Sequence, residues 1–359
     1  MRYPVLQIWG ETMNRVNFIE KDYAVFINNP NHFLAISDLT DSDGINIVEN
    51  VNIIKSNNSS KVKKESVNQE KRQYIAQETD SLNYFRKSYG DIVLYTFLEN
   101  DVIIQDFTGN LQVANSPKGF EDAKINISHV IYIKKILSKK DLLKIYKLIS
   151  KTKAKYLADK NLPIHISNIL NNDDFLAVLS DVPENGEYEF EEYDFDESNI
   201  KNAIVDSLDE AFKRFDLTFG ILDYLVSKGI LIGDLVEAGM ELIHGADASQ
   251  ELEKKLKAQI FKSLEDINVI TLLMVAIRAE QDFTHNRIRE LADKDESSIL
   301  YADEILGLSV ANQIGGTKAT FNFNQYYNLK PGILYGLPPV LNDVFAGFIA
   351  GCVSKVLEE

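Results

Sequence analysis

PENGEYEFEEYDFDESN, residues 183–199, divides this sequence, because the hydrophobic period differs on its two sides. Within it acids alternate with aromatics behind a Pro and a Gly. Like charges this closely spaced repel, which predicts a solvated acidic linker, with a regulatory or docking tail as the other reading. Before it lie short runs rich in β-branched and aromatic residues: YAVFIN (23–28), INIVENVNII (45–54), DIVLYTF (91–97), NLQVA (110–114), INISHVIYIK (125–134) and FLAVL (175–179). Such runs predict strands. One helix interrupts them, at 138–157, with Leu142, Ile145, Leu148 and Ile149 on one face behind a Ser138 N-cap. The polar stretch 55–81 reads as a long surface loop. After the linker the period is helical throughout, with candidate helices near 219–227, 232–244, 250–264, 269–281, 302–313 and 340–357, and Gly229 and Gly245 as C-terminal caps. The expected fold is multidomain α+β: a mixed α/β-sheet domain over 1–182, the linker over 183–199, and an all-α helical domain over 200–359.

The chain has 359 residues, with 38 Lys+Arg against 54 Asp+Glu and a net charge of −16. That excess of acid argues against a nucleic-acid partner, which would need a basic footprint. A lone Cys352 excludes a disulfide framework and a Cys-based zinc site, and fits a reducing, cytoplasmic setting. The N-terminus lacks a signal-peptide layout, and no run approaches the length expected of a membrane span. Oligomerisation is open.

In the helical half, acids within apolar segments are the informative positions. Asp303 and Glu304 open the helix of YADEILGLSVANQIGG (301–316). Asn342 and Asp343 sit in the first turn of LPPVLNDVFAGFIAGCVSKVL (337–357), the most apolar helix of the chain. Small residues follow at Ala346, Gly347, Ala350 and Gly351, a spacing that lets another helix approach closely. Two roles are open for the acids: helix N-terminal charges, or oxygen ligands to a shared Mg²⁺, which needs few carboxylates because it keeps several waters. Between the two helices, GGTKATFNFNQYYNLKPGI (315–333) carries Lys318, Lys330, Asn322 and Asn324, cationic and amide donors that suit a phosphate monoester. Cys352, inside an apolar helix, reads as core.

These pieces, Asp303-Glu304-x-x-Gly307, then Lys330-Pro331, then Leu341-Asn342-Asp343-x-x-Ala346-Gly347, resemble the phosphatidylglycerophosphatase A superfamily, which includes archaeal α-ribazole-5′-phosphate phosphatases. The resemblance covers roughly 217–357. It implies an all-helical fold and Mg²⁺-dependent hydrolysis of a phosphate monoester. In the mechanism expected on that basis, Asp303, Glu304 and Asp343 hold the metal with Asn342 beside them in the catalytic set, and Lys330, Lys318 and Asn322 face the phosphate. Asn342 replaces the first acid of the family's D-D pair. Asn324 and Tyr327 stand where lipid-phosphate members carry Arg and Asp.

In the first half, His32, His129 and His165 are scattered and lack metal-ligand spacing. NNDDFLAVL (171–179) places acids and amides at the mouth of a strand, either a plain turn or a pocket edge. The stretches 123–163 and 168–180 resemble the end of adenosylcobinamide amidohydrolases, through Ile125-Asn126-Ile127, Lys153 and Asp174, and FLAISDLTDSDG (33–44) keeps that family's Ser37 and Gly44. This resemblance implies Asp174 as a catalytic residue and Ser37, Asn126 and Lys153 at the substrate. Lys151 replaces a family Glu, and Asn171, Asn172 and Asp173 replace a small Thr/Gly run.

Together the two halves resemble the archaeal bifunctional enzymes of cobamide salvage and assembly. That implies corrinoid and nucleotide-loop phosphate substrates: adenosylcobinamide cleaved to adenosylcobyric acid by the first domain, and α-ribazole 5′-phosphate or cobamide phosphate dephosphorylated by the second. Two rivals stand beside it: a phosphatidylglycerophosphate phosphatase with a non-catalytic first domain, and a corrinoid-binding or regulatory protein with decayed sites.

Overall fold

A computed structural model describes residues 16–41, 43–58, 74–100, 102–103, 112–113, 124–183, 197–243, 250–289 and 301–358. The described chain falls into two compact units, the first ending at Thr218 and the second running from Phe219 to the C-terminal helix. Mixed sheet comes first and helices follow, as the change of period predicts. Most of the expected linker, 184–196, lies outside the described residues, as does Gly245.

The first unit is built on strands β1 (Asn17–Lys21), β2 (Ala24–Ser37), β3 (Gly44–Lys55), β4 (Tyr74–Thr79), β5 (Asn83–Tyr89), β6 (Ile92–Asn100), β9 (Ile125–Ile136) and β10 (Leu176–Asp181), in the order β4-β3-β2-β10-β9-β6-β5 with β1 on β2. β7 (Val102–Ile103) and β8 (Gln112–Val113) form a separate pair, so only the centre of the expected NLQVA strand is described. β4 is a correction to the expected surface loop. Ile75 and Ala76 are buried and β4 pairs in parallel with β3, so two apolar residues suffice to seat an edge strand. β4 and β5 occupy opposite ends of the strand order, yet only Asp80, Ser81 and Leu82 join them. A flat sheet would separate those edges by about 29 Å at ~4.8 Å per strand, beyond the reach of three residues. The sheet is therefore curled, and its concave face holds a core that includes Phe33, Tyr95, Val130 and Phe175.

Helix α1 (Lys139–Lys160) begins at the expected cap, with the Asp141 amide donating to Ser138 Oγ at 3.1 Å. Its buried residues Leu142, Ile145, Ile149 and Lys153 stay outside the concave core and pack on the other face against β10 and β2. After α2 (Ile164–Ile169) and β10 comes α3 (Glu197–Arg214), expected to open the helical domain. It instead belongs to the first unit. It packs on α1 and β6, Tyr156 donates to Asp209 at 2.5 Å, and the Arg214 guanidinium lies 4.5 Å from the Phe85 ring centre. Its apolar face, Ile200 to Phe212, has a sheet to cover, and this moves the boundary from 199 to beyond Thr218.

The second unit comprises α4 (Ile221–Val226), α5 (Ile232–Glu241), α6 (Gln250–Ser263), α7 (Ile267–Thr284), α8 (Tyr301–Leu329) and α9 (Pro339–Glu358), around one apolar core. α9 is long and apolar enough to cross a membrane, but its side chains are almost all buried among the other helices. α8 is two helices. Gly316 adopts φ 64°, ψ −154°, and Phe323 lies against Gly307, whereas a continuous helix would hold those residues about 24 Å apart. The first limb runs parallel to α9, from Gly307 beside Asp343 to Gly315 beside Gly351. The second limb returns, from Lys318 beside Glu358 toward Lys330. Small residues make the seam. A side chain on Gly347 would collide with the Gly307 backbone, and one on Gly351 would come within 2.8 Å of Ile314 Cβ. This is the close approach that Gly347 and Gly351 predict.

Candidate functional site

The hairpin in α8 has a chemical consequence. It carries the start of its first limb, the end of its second, and the start of α9 to the same end of the bundle. Asp303 and Glu304 come from the first, Tyr327 and Lys330 from the second, Asn342 and Asp343 from the third. Asp303 and Asp343 are both buried, at 8 % and 6 % exposure. Burial pushes the Asp343 carboxyl up to about 7, with the charge of Asp303 adding to that, Lys330 opposing it, and Glu304 adding again. Burial, followed by Asp343, Glu304 and Asp303, likewise raises the Tyr327 hydroxyl. Three carboxylates from two helices therefore feel one another across a partly dry site, and Lys330 supplies the cationic charge there.

Individual bonds refine this. Asp303 Oδ1 accepts from the Glu304 amide at 2.9 Å. Asn342 turns its amide nitrogen to the Leu334 carbonyl, and its Oδ1 is buried without a partner. Lys330, in a left-handed conformation with φ 48°, ends the second limb. Among the described residues no three His, Cys, Asp or Glu side chains gather closely enough to enclose a metal. The donors are nonetheless hard oxygens under mutual repulsion, and Mg²⁺ is usually held by one or two carboxylates with waters and phosphate completing its shell. The residues fit that ion as an open site and do not fit a closed cage.

Two expected phosphate contacts lie elsewhere. Lys318 pairs with Glu358 at 2.9 Å, and Asn322 donates to Ser354 Oγ at 2.8 Å. Ser354 is about 16 Å along α9 from Asp343 at ~1.5 Å per residue. The chain reversal at Gly316 separates Lys318 from Lys330, which sequence proximity cannot reveal. Cys352 is core, its thiol pushed up to about 12 chiefly by burial.

In the first unit the four expected residues divide between the two faces of the sheet. Lys153, on α1, donates to the Ile127 carbonyl and to Asp174 Oδ2, the latter at 2.6 Å, and desolvation lowers its pKa. Buried His129 lies near enough for the Lys153 charge to add to the burial that lowers its own pKa, and its Nε2 has no partner. Ser37 alternates with Phe33 and Ala35 on the concave side, where its hydroxyl is buried without a partner. Asn126 joins Ser128, Glu99 and Lys124 in lining a polar cavity of about 160 Å³, which Lys153 does not line. Ser37 and Asn126 thus do not share a site with Lys153 and Asp174.

Two residues beyond those expected stand with the lysine. Asp38 accepts from the Leu176 amide and from the Tyr146 hydroxyl, both at 2.7 Å, and its charge reaches Lys153. The result is a packed ionic network tying α1 to the ends of β2 and β10.

No protein-family model matches this chain. The uncharacterized protein MJ1330 of Methanocaldococcus jannaschii is 40 % identical over 128 residues, which is 34 % of this chain and 100 % of that protein. This chain belongs to the family of MJ1330. Membership leaves the chemistry to be argued from the residues.

Proposed function

We propose that the chain is a two-part hydrolase of cobamide salvage and assembly. Its second unit is an Mg²⁺-dependent phosphatase for α-ribazole 5′-phosphate or cobamide phosphate. Its first unit is an amidohydrolase converting adenosylcobinamide to adenosylcobyric acid, in a reducing cytoplasm. The observation that carries the phosphatase reading is the buried Asp343 carboxyl, which feels the charges of Asp303, Lys330 and Glu304 at one end of the bundle. Asp343, with Asp303 or Glu304, would hold Mg²⁺, which supplies positive charge against the phosphoryl oxygens when bound. Lys330 neutralises the incoming phosphate. Asn342 sits beside Asp343 in the first turn of α9.

A second reading, hydrolysis of phosphatidylglycerophosphate, draws support from exposed apolar residues next in sequence to the site: Ile305 at 60 % and Leu329 at 66 % exposure. Phosphate release from α-ribazole 5′-phosphate and from a short-chain lipid phosphate, each with Mg²⁺ or with EDTA, separates these readings. Release from the nucleotide alone supports the cobamide assignment, and release from the lipid alone replaces it. Turnover of neither leaves a corrinoid-binding protein as the account.

A further inference from the structure

Glu280 is a buried carboxylate, 7 % exposed, on the apolar helix α7. Its Oε2 accepts from the Val340 amide at 3.0 Å, and its Oε1 lies 3.4 Å from the Thr284 hydroxyl. Val340 lies at the start of α9, where the first amides of a helix have no partner of their own. α9 begins with two prolines, so no Ser, Thr, Asp or Asn stands at its cap. Glu280 supplies the missing acceptor from another helix, and its charge favours the positive end of the α9 dipole. The turn held in this way is the one bearing Asn342 and Asp343.

We infer that Glu280 is a positioning residue for the phosphatase site: it fastens the first turn of α9 to α7 and so fixes Asp343 against Asp303. This rests on reading that end of the bundle as a metal-dependent site. The fastening itself is independent of that reading and can be measured separately. Glu280 acts through Asp343. A residue that orients a metal ligand typically changes metal affinity by about 10–100-fold when removed.

The test compares the intact chain with Glu280→Gln, Glu280→Ala and Leu273→Ala, the last a cavity in the same helix, at a residue with no exposure. Two quantities are read: deuterium uptake by the peptide spanning 338–345, and the MgCl₂ concentration giving half of the maximal rise in melting temperature. Glu280→Ala should raise uptake in that peptide and shift the Mg²⁺ midpoint about tenfold or more. Glu280→Gln, which keeps an acceptor, should restore both to within a few-fold of the parent, and Leu273→Ala should destabilise without moving either. Unchanged uptake in Glu280→Ala, or equal changes in Leu273→Ala, overturns the inference. If the parent itself shows no Mg²⁺ response, the metal reading fails and the uptake comparison still decides whether Glu280 fastens the turn.

Discussion

Gly307 and Gly347 meet backbone to backbone. A side chain on Gly347 would run into the Gly307 carbonyl, and one on Gly307 into the Asp343 carbonyl. The seam that gives α8 and α9 their closeness is thus the one that sets Asp303 and Glu304 beside Asp343. Gly347→Ala should destabilise the second unit by about 1–3 kcal/mol through overpacking of helix against helix. Gly336→Ala, where a Cβ meets nothing within 4 Å, should leave the melting temperature nearly unchanged. Thermal denaturation of both variants checks this, and equal midpoints would remove the seam from the account.

The raised pKa of Asp343 has a definite sign for stability. Its folded value, about 7, stands above the ordinary carboxylate value of 3.8. The folded state therefore holds this proton more tightly than the unfolded chain does. The stability it contributes is full below pH 3.8 and is lost as pH rises through 7. Asp343→Asn cannot ionise, so in EDTA its melting temperature should gain on the parent between pH 5 and pH 8. A constant difference across that range would contradict the placement of Asp343.

Lysine positions separate the site from its surroundings. Lys330→Ala should raise KM for the phosphate ester about tenfold or more, because it removes a charge-assisted contact to phosphate. Lys318→Ala should leave KM unchanged, since Lys318 is 76 % exposed in its pair with Glu358 at the far end of α9. Steady-state kinetics with α-ribazole 5′-phosphate distinguishes them.

The Lys153–Asp174 pair should respond asymmetrically. Asp174→Ala leaves a buried ammonium without its counter-charge and should cost about 3–5 kcal/mol. Lys153→Met replaces the ammonium with an apolar chain of similar length and leaves no buried charge: it withdraws a donor from the neutral Ile127 carbonyl and from the Asp174 side chain, which is 32 % exposed and can be rehydrated. It should cost less. Urea unfolding followed by a probe in the first unit gives the order, and a reversed order would contradict the network.

Much of this was legible from residue pattern. The change of period at 183–199, the Ser138 cap and the small-residue face of α9 all follow from local spacing and match the structure. Asp303, Glu304, Lys330 and Asp343 are marked by a family resemblance in the order of motifs, whereas their shared end of the bundle depends on the fold. What escaped depends on tertiary partners. α3 has a helical period but covers a sheet, which its own sequence does not state. The reversal at Gly316 rests on one positive-φ glycine within an otherwise helical run, and missing it puts Lys318 and Asn322 at the wrong end. Ser37 and Lys153 are separated because strand alternation sends Ser37 to the concave face. Glu280 was within reach of pattern reading: it continues the buried stripe of Leu273, Ala276 and Ile277, and an acid on an apolar stripe calls for a partner.

Calorimetric titration of Mg²⁺ into the intact chain tests most directly the proposal that Asp343, with Asp303 or Glu304, holds one divalent cation. Saturable binding to one site, lost in Asp343→Asn and weakened in Asp303→Asn, is the predicted result. Absence of binding in the parent, or identical binding in all three proteins, would contradict it.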